Sequence, residues 1–257
     1  MEVDKISDFV WEIKKDEKLG MNVPVHIYTN SALVKFIQRD RTLSQAMNAA
    51  TLPSIVKHML VMPDGHEGYG FPVGGVAAFD ADDGIVSPGI CGFDINCGIR
   101  LIKTNMTEKD VKPKIPQLLD ALFKNVPSGV GSRIQLGFTK DDLENIVSEG
   151  APYVIDKGYG FKGDAERTEE NGCIEGADSE KVSALAKKRG FHEVGTLGAG
   201  NHFLEVQKVG KIIDERLAKA FGLYQDQVVV MVHSGSRGYG HQVCSDYLEL
   251  LSEYQRS

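Results

Sequence analysis

Hydrophobic and polar positions switch repeatedly between the 3.6-residue period of helices and the two-residue period of strands. Ser31 stands ahead of Leu33, Val34, Phe36 and Ile37 as the cap of a short helix. Thr42 with Gln45 three residues on reads as a capping box for a helix that stops before Pro53. Residues 57–62 read as a strand entering the loop Pro63-Asp64-Gly65-His66-Glu67-Gly68. Residues 73–79 and 84–86 read as a hairpin turned at Asp82-Asp83-Gly84, and residues 98–104 alternate as a half-buried strand does. The middle is more helical. Pro116 opens a stripe of Leu118, Leu119, Leu122, Phe123 and Val126, and Leu143, Ile146 and Val147 share a face over 141–149. Residues 157–176, rich in glycine and charge, predict a surface excursion. Asp178 is expected to cap a helix ending at Arg189 and stopped by Gly190.

Beyond it lie a glycine loop over 195–201, a strand over 202–209, a helix ending near Gly222, a continuous apolar strand over 228–232 and a loop over 233–240. Val243, Tyr247, Leu248 and Leu251 form a last helical stripe that reaches Ser257 with no C-cap glycine, which raises the expectation of further polypeptide. The fold class expected is α+β, with mixed sheets and flanking helices.

Composition narrows the function classes. The 257 residues carry 29 Lys+Arg against 36 Asp+Glu, a formal charge of −7, with 42% hydrophobic and 25% charged residues. These are globular values, and an acidic balance argues against a broadly basic nucleic-acid-coating surface. The longest aliphatic run, residues 228–232, is far below the roughly 20 residues of a membrane span. The N-terminal residues hold no apolar signal region, and four cysteines without a CxxC are no disulfide framework. The expected location is cytoplasmic. Glycine is the outlier: 28 residues, nine of them between Pro63 and Arg100. Such clustering marks special backbone dihedrals or a close approach of backbone to a ligand.

Three glycine-flanked loops beside strands carry metal-capable side chains: Asp94 and Cys97, then His202, then His233. Carboxylate, thiolate and two imidazoles make a plausible ligand set, and a shared Cys97 sulfur could bridge two cations. Donor softness alone favours zinc. The loops over 195–200 and 235–240 are either tight turns or phosphate cradles, and Arg237 supplies a two-pronged donor four residues past His233. A phosphate donor next to a metal ligand points toward phosphoryl chemistry. His66 and His241 read as structural, His26, His58 and His192 have no supporting context, and Lys187-Lys188-Arg189 reads as a solvated helix end.

Four segments together resemble the signatures of RtcB-type RNA-splicing ligases, archaeal members in particular. They are residues 62–75 (MPDGHEGYGFPVGG), 92–98 (GFDINCG), 197–206 (LGAGNHFLEV) and 233–238 (HSGSRG), in the family's order. The resemblance implies an RtcB-like fold, with residues 1–257 as the N-terminal portion of a single catalytic domain. It implies a GTP-dependent ligase that joins an RNA 3′-phosphate or 2′,3′-cyclic phosphate to a 5′-hydroxyl, as in tRNA splicing and RNA repair. Two Mn²⁺ ions then replace the zinc that softness favours. Asp94, Cys97 and His202 would hold one and Cys97 with His233 the other. Asn201, Phe203, Glu205 and Arg237 would bind nucleotide, while Asp64 joins Cys97 as a catalytic candidate. In a regular strand His202 and Glu205 face opposite ways, so the strand must begin irregularly there.

The family's guanylylated histidine has no matching motif here, so the chain is expected to be the first half of such a ligase and inactive alone. RNA ends, such as tRNA exon halves, and GTP are the implied partners, with an archease-like activator and a complementary C-terminal half as further candidates and no membrane. A non-catalytic metal- and RNA-binding module and a Mn²⁺-dependent phosphohydrolase remain the competing readings.

Overall fold

The computed structural model describes residues 2–133, 136–254 and 256. It is an α+β protein that divides into two compact units, residues 1–92 with 254–257 and residues 93–253. The first unit is built on a five-stranded sheet of order β1-β2-β3-β4-β5, formed by Asp4–Lys5, Val10–Ile13, Val25–Tyr28, Ile55–His66 and Val73–Phe79. Only β3 and β4 run parallel. Parallel neighbours need a long crossover, and here it contains α1 (Val34–Ile37) and α2 (Thr42–Ala49). Val25 and Ile27 of β3, Met59 and Val61 of β4, and Leu43, Ala46 and Ala49 of α2 interlock as the core. The alternation of β3 turns His26 and Tyr28 away from that core. A short helix, α3 (Pro88–Cys91), completes this unit.

Several local expectations change. Asn30, not Ser31, opens the turn before α1, its Oδ1 accepting from the amides of Ala32 and Leu33 at 2.9 Å each. Asp40 Oδ1 accepts from Thr42 N and Thr42 Oγ1, so the cap of α2 comes from ahead of Thr42. Gln45 instead turns inward and exchanges two hydrogen bonds with the backbone of Gly68, pinning the segment after β4. β4 runs on through the expected loop to His66, with irregular pairing between Val61 and His66. The expected hairpin over 73–86 does not form. Residues 81–83 make a turn closed by Gly84 N donating to Asp80 O, and β5 pairs back onto β4.

The second unit holds a three-stranded sheet of order β6-β8-β7, from Gly98–Thr107, Gln227–Ser234 and Phe203–Lys208. Around it run α4 (Glu108–Val111), α5 (Ile115–Asn125), α6 (Lys140–Glu149), α7 (Ala151–Asp156), α8 (Ala184–Gly190), α9 (Glu215–Phe221) and α10 (Arg237–Tyr254). Thr139 and Asp142 form a reciprocal capping box at α6. The α5 stripe exists as a helix face but is not a core face: Leu118 and Leu122 are half-buried, and Phe123 is 84% exposed. Ser183 rather than Asp178 caps α8, and Asp178 caps the single 3-10 turn at Ser179–Lys181. Of the loop expected over 233–240, His233 and Ser234 end β8 and residues 237–240 are helical. α10 starts at Arg237, so the later glycines of that segment lie in a helical turn. Among the described residues no helix is long and apolar enough to cross a membrane.

Candidate metal centre

The sheet of the second unit brings three chain segments to one end. Both pairings are antiparallel, so the C-terminal end of β8 lies beside the first residues of β6 and β7. Gly98 and Ile99 face Ser234 and His233, and Phe203 faces His233. Cys97 immediately precedes β6 and His202 immediately precedes β7. The topology therefore delivers one thiol and two imidazoles to the same edge. Because β7 starts at Phe203, His202 is free of strand alternation, which is the irregular start its separation from Glu205 requires.

Asp94 joins through a tight turn in which Cys97 N donates to Asp94 O at 3.1 Å. Asn96 takes φ 60° there, a left-handed value that asparagine tolerates better than most residues. Asp94 Oδ2 lies 2.5 Å from His202 Nε2, and Cys97 Sγ lies 3.4 Å from His202 Nε2 and 2.9 Å from His233 Nε2. The donor atoms of Asp94, Cys97 and His202 all fall within 4.8 Å of one another. His233 attaches to this trio through the Cys97 sulfur, and its ring meets Phe203 edge-on at 5.3 Å.

Electrostatics fix the charge of the carboxylate. Burial works against ionisation of Asp94, but hydrogen bonds with Cys97 and Ser236 and the electrostatic and hydrogen-bonding interaction with His202 outweigh it, holding its pKa below the usual 3.8. The His202 side chain is only 2% exposed. Arg237 Nη1 sits 3.3 Å from His202 Nδ1. A guanidinium can only donate, so this network assigns the His202 hydrogen to Nε2, facing Asp94. Gly198, at φ 109°, makes the approach possible, since a Cβ there would run into His202 Nδ1 and the Arg237 guanidinium. Arg237 Nε is buried without a hydrogen-bond partner among the described residues. A buried donor left unmade costs about 1–3 kcal/mol, so an anion at this guanidinium would relieve a standing penalty.

The other expected site residues are placed differently. Asn201 is exposed in the turn before β7. Glu205 is exposed on β7, where its Oε2 accepts from Gln207 Nε2 at 2.6 Å. Asp64 belongs to the first unit, exposed on β4, with its carbonyl facing His66 Nδ1 at 2.7 Å. His241 stacks obliquely on Phe93. The basic run of α8 is tied down: Lys187 pairs with Glu144 at 2.8 Å and Arg189 donates to Gln242. Sequence reasoning missed Ser236 and Glu193, which meet the start of α10. Ser236 Oγ donates to Asp94 Oδ1, and Glu193 Oε2 accepts from Gly238 N at 2.7 Å. A serine one residue ahead of a helix was the available signal for the first. Glu193, distant in sequence, had none.

Nitrogen, sulfur and carboxylate oxygen converging this closely form a donor set suited to a divalent transition metal, with the Arg237 guanidinium alongside. Residues 45–257 match the family model described as tRNA-splicing ligase RtcB. The chain is 55% identical over 256 residues to the tRNA-splicing ligase RtcB of Thermococcus kodakarensis, covering 99% of this chain and 52% of that relative. The corresponding protein of Aeropyrum pernix is 50% identical over 98% of this chain and 53% of its own length. An RNA-splicing ligase RtcB homolog 1 of Entamoeba dispar is 45% identical over 93% of this chain and 47% of its own. The chain thus spans about half the length of the curated relatives it matches. With a family model matched over 213 residues, 45 through 257, the chain belongs to the RtcB family.

Proposed function

We propose that this chain carries the metal-binding part of an RNA ligase that joins 3′-phosphate or 2′,3′-cyclic phosphate ends to 5′-hydroxyl ends with GTP and Mn²⁺. The observation that carries the reading is the convergence of Asp94, Cys97, His202 and His233 at one sheet edge. Asp94, Cys97 and His202 would hold one manganese ion, and Cys97 with His233 a second. When bound, such ions supply positive charge against phosphate oxygens during phosphoryl transfer. Arg237, with its unpartnered buried Nε, would take a phosphate of RNA or nucleotide. Asn201 would contact the GTP phosphates, Phe203 and Glu205 the guanosine, and Asp64 the neighbourhood of the guanylylated group.

No histidine of this sequence is given the nucleophile's role. GMP transfer is therefore assigned to the complete ligase, with polypeptide equivalent to the part of the relatives' length that this chain does not span. RNA ends and GTP are its partners in this reading, with an archease-like activator as a further candidate. The test mixes the chain with such a polypeptide from a relative and assays joining of 3′-phosphate and 5′-hydroxyl RNAs with GTP and Mn²⁺. Ligation is expected from the mixture, and neither ligation nor a covalent radiolabelled GMP adduct from the chain alone. Mn²⁺-dependent phosphate release without GTP would replace the reading with a phosphohydrolase. RNA binding with no ligation in the mixture would replace it with a non-catalytic module.

A further inference from the structure

Asp94 is held by its other oxygen. Oδ2 faces His202 Nε2, while Oδ1 accepts two hydrogen bonds from the start of α10, Ser236 Oγ at 3.0 Å and Arg237 N at 3.1 Å. The carboxylate thus acts as a cap for an 18-residue helix through Oδ1 and points Oδ2 at His202. The backbone is shaped for this. Arg237 takes φ 56°, an unusual left-handed value for a non-glycine residue, and its amide is aimed at Asp94. Two glycines clear the space. A Cβ on Gly235 would come within 2.5 Å of Asp94 Oδ2, 2.6 Å of Oδ1 and 2.7 Å of Cγ, and one on Gly240 within 2.7 Å of Ser236 Cβ.

We infer that Ser236, seated by Gly235 and Gly240, is a positioning residue that restricts Asp94 to metal binding through Oδ2 alone. This inference rests on the proposed metal role of Asp94. Its physical basis is that a carboxylate with one oxygen saturated by two donors cannot swing to chelate, so the ligand is preorganised and its rotamer entropy is already spent. Partners that orient a metal ligand in this way typically account for about 10–100-fold in affinity. Ser236 itself touches no substrate. Its effect runs through the direction of one oxygen.

The test titrates Mn²⁺ into the 257-residue chain and reads free Mn²⁺ by electron paramagnetic resonance, with helical content checked by circular dichroism. S236A is expected to bind Mn²⁺ at least about 10-fold more weakly than wild type, and S236T, which keeps the hydroxyl donor, to restore binding. S245A, whose hydroxyl donates to the His241 carbonyl further along α10, is the control and is expected to match wild type. G235A leaves Ser236 intact but pushes its methyl against the carboxylate, and is expected to weaken binding at least as much as S236A. The bound-ion spectrum adds a readout that lost stability would not move: S236A should broaden it as Asp94 samples a second binding mode. Wild-type affinity in S236A or in G235A overturns the inference, and so does equal loss in S236T and S236A. If wild type itself binds no Mn²⁺, the metal reading fails and the positioning role with it.

Discussion

The two units use apolar side chains for different ends. In the first, Val25, Ile27, Leu43, Met59 and Val61 are sealed between β3, β4 and α2. In the second, the central strand β8 buries Val228 and Val229, but its neighbour β6 leaves Ile99 58% exposed and Leu101 and Ile102 largely open. The first sheet holds its central hydrophobic residues inside the unit, with Met62 and Val76 among the exceptions. The second spends its geometry on strand ends, where Cys97, His202 and His233 meet, and presents an edge strand whose apolar side chains the unit does not cover. Burial therefore predicts stability in the first unit, while strand termination predicts chemistry in the second.

Cys97→Ala breaks the comparison most severely. The sulfur lies within 3.4 Å of both His202 Nε2 and His233 Nε2, so it is the atom common to both halves of the cluster. Its loss is expected to reduce Mn²⁺ affinity more than about 100-fold, beyond the range of changes to ligand-orienting partners. Stoichiometric Mn²⁺ retained in that variant by the same resonance titration would discard the ligand assignment.

Met59→Ala tests the opposite side. Met59 has no accessible surface, and truncating such a residue typically costs about 2–5 kcal/mol. Trp11, the single tryptophan, lies on β2 against the first unit's core, so denaturant unfolding followed by its fluorescence reads that unit. The midpoint is expected to fall sharply, with Mn²⁺ affinity of the folded variant unchanged. Ile99→Ser, by contrast, removes an apolar side chain that is already exposed and is expected to shift thermal stability by less than about 1 kcal/mol. A loss as large as that of Met59→Ala would mean that β6 packs in a way its exposure denies.

Legibility in sequence followed the same divide. The strands expected over 57–62, 73–79, 98–104, 202–209 and 228–232 each overlap one of β4 to β8, because local period and turn residues are properties of the segment itself. The same holds for the clustering of Asp94, Cys97, His202 and His233 beside glycines, though not for their distances. Caps were legible as motifs and misassigned in detail, since Asn30 takes the amides of Ala32 and Leu33, Asp40 that of Thr42 and Ser183 that of Ala186, while Asp178 caps the preceding 3-10 turn. Gln45 left its expected cap because tertiary bonds to Gly68, 23 residues away, satisfied it better. The start of α10 was read as a loop from its glycines. Its capping acids, Asp94 and Glu193, are 143 and 45 residues distant from the amides they accept from, and no window of local sequence contains them.

Acid separates the two units by a smaller effect. His58 and His26 stack at 3.9 Å on the first sheet, with Glu12 Oε1 3.2 Å from His26 Nε2 and Lys57 adjacent in sequence. Burial, then the charges of His26 and Lys57, depress the His58 pKa below 6.5 against the opposing pull of Glu12. A histidine with a depressed folded pKa binds its proton more readily when unfolded, so its contribution is intact above about pH 6.5 and is lost as pH falls from there toward the folded value. Asp94, also depressed, behaves as an acid should: its contribution holds above 3.8 and fades only below it. Between pH 7 and 5 the Trp11-reported midpoint is therefore expected to decline modestly in metal-free protein, and His58→Gln is expected to flatten that decline. A wild-type midpoint constant over this range, or a slope surviving in His58→Gln, would remove the histidine stack as its cause.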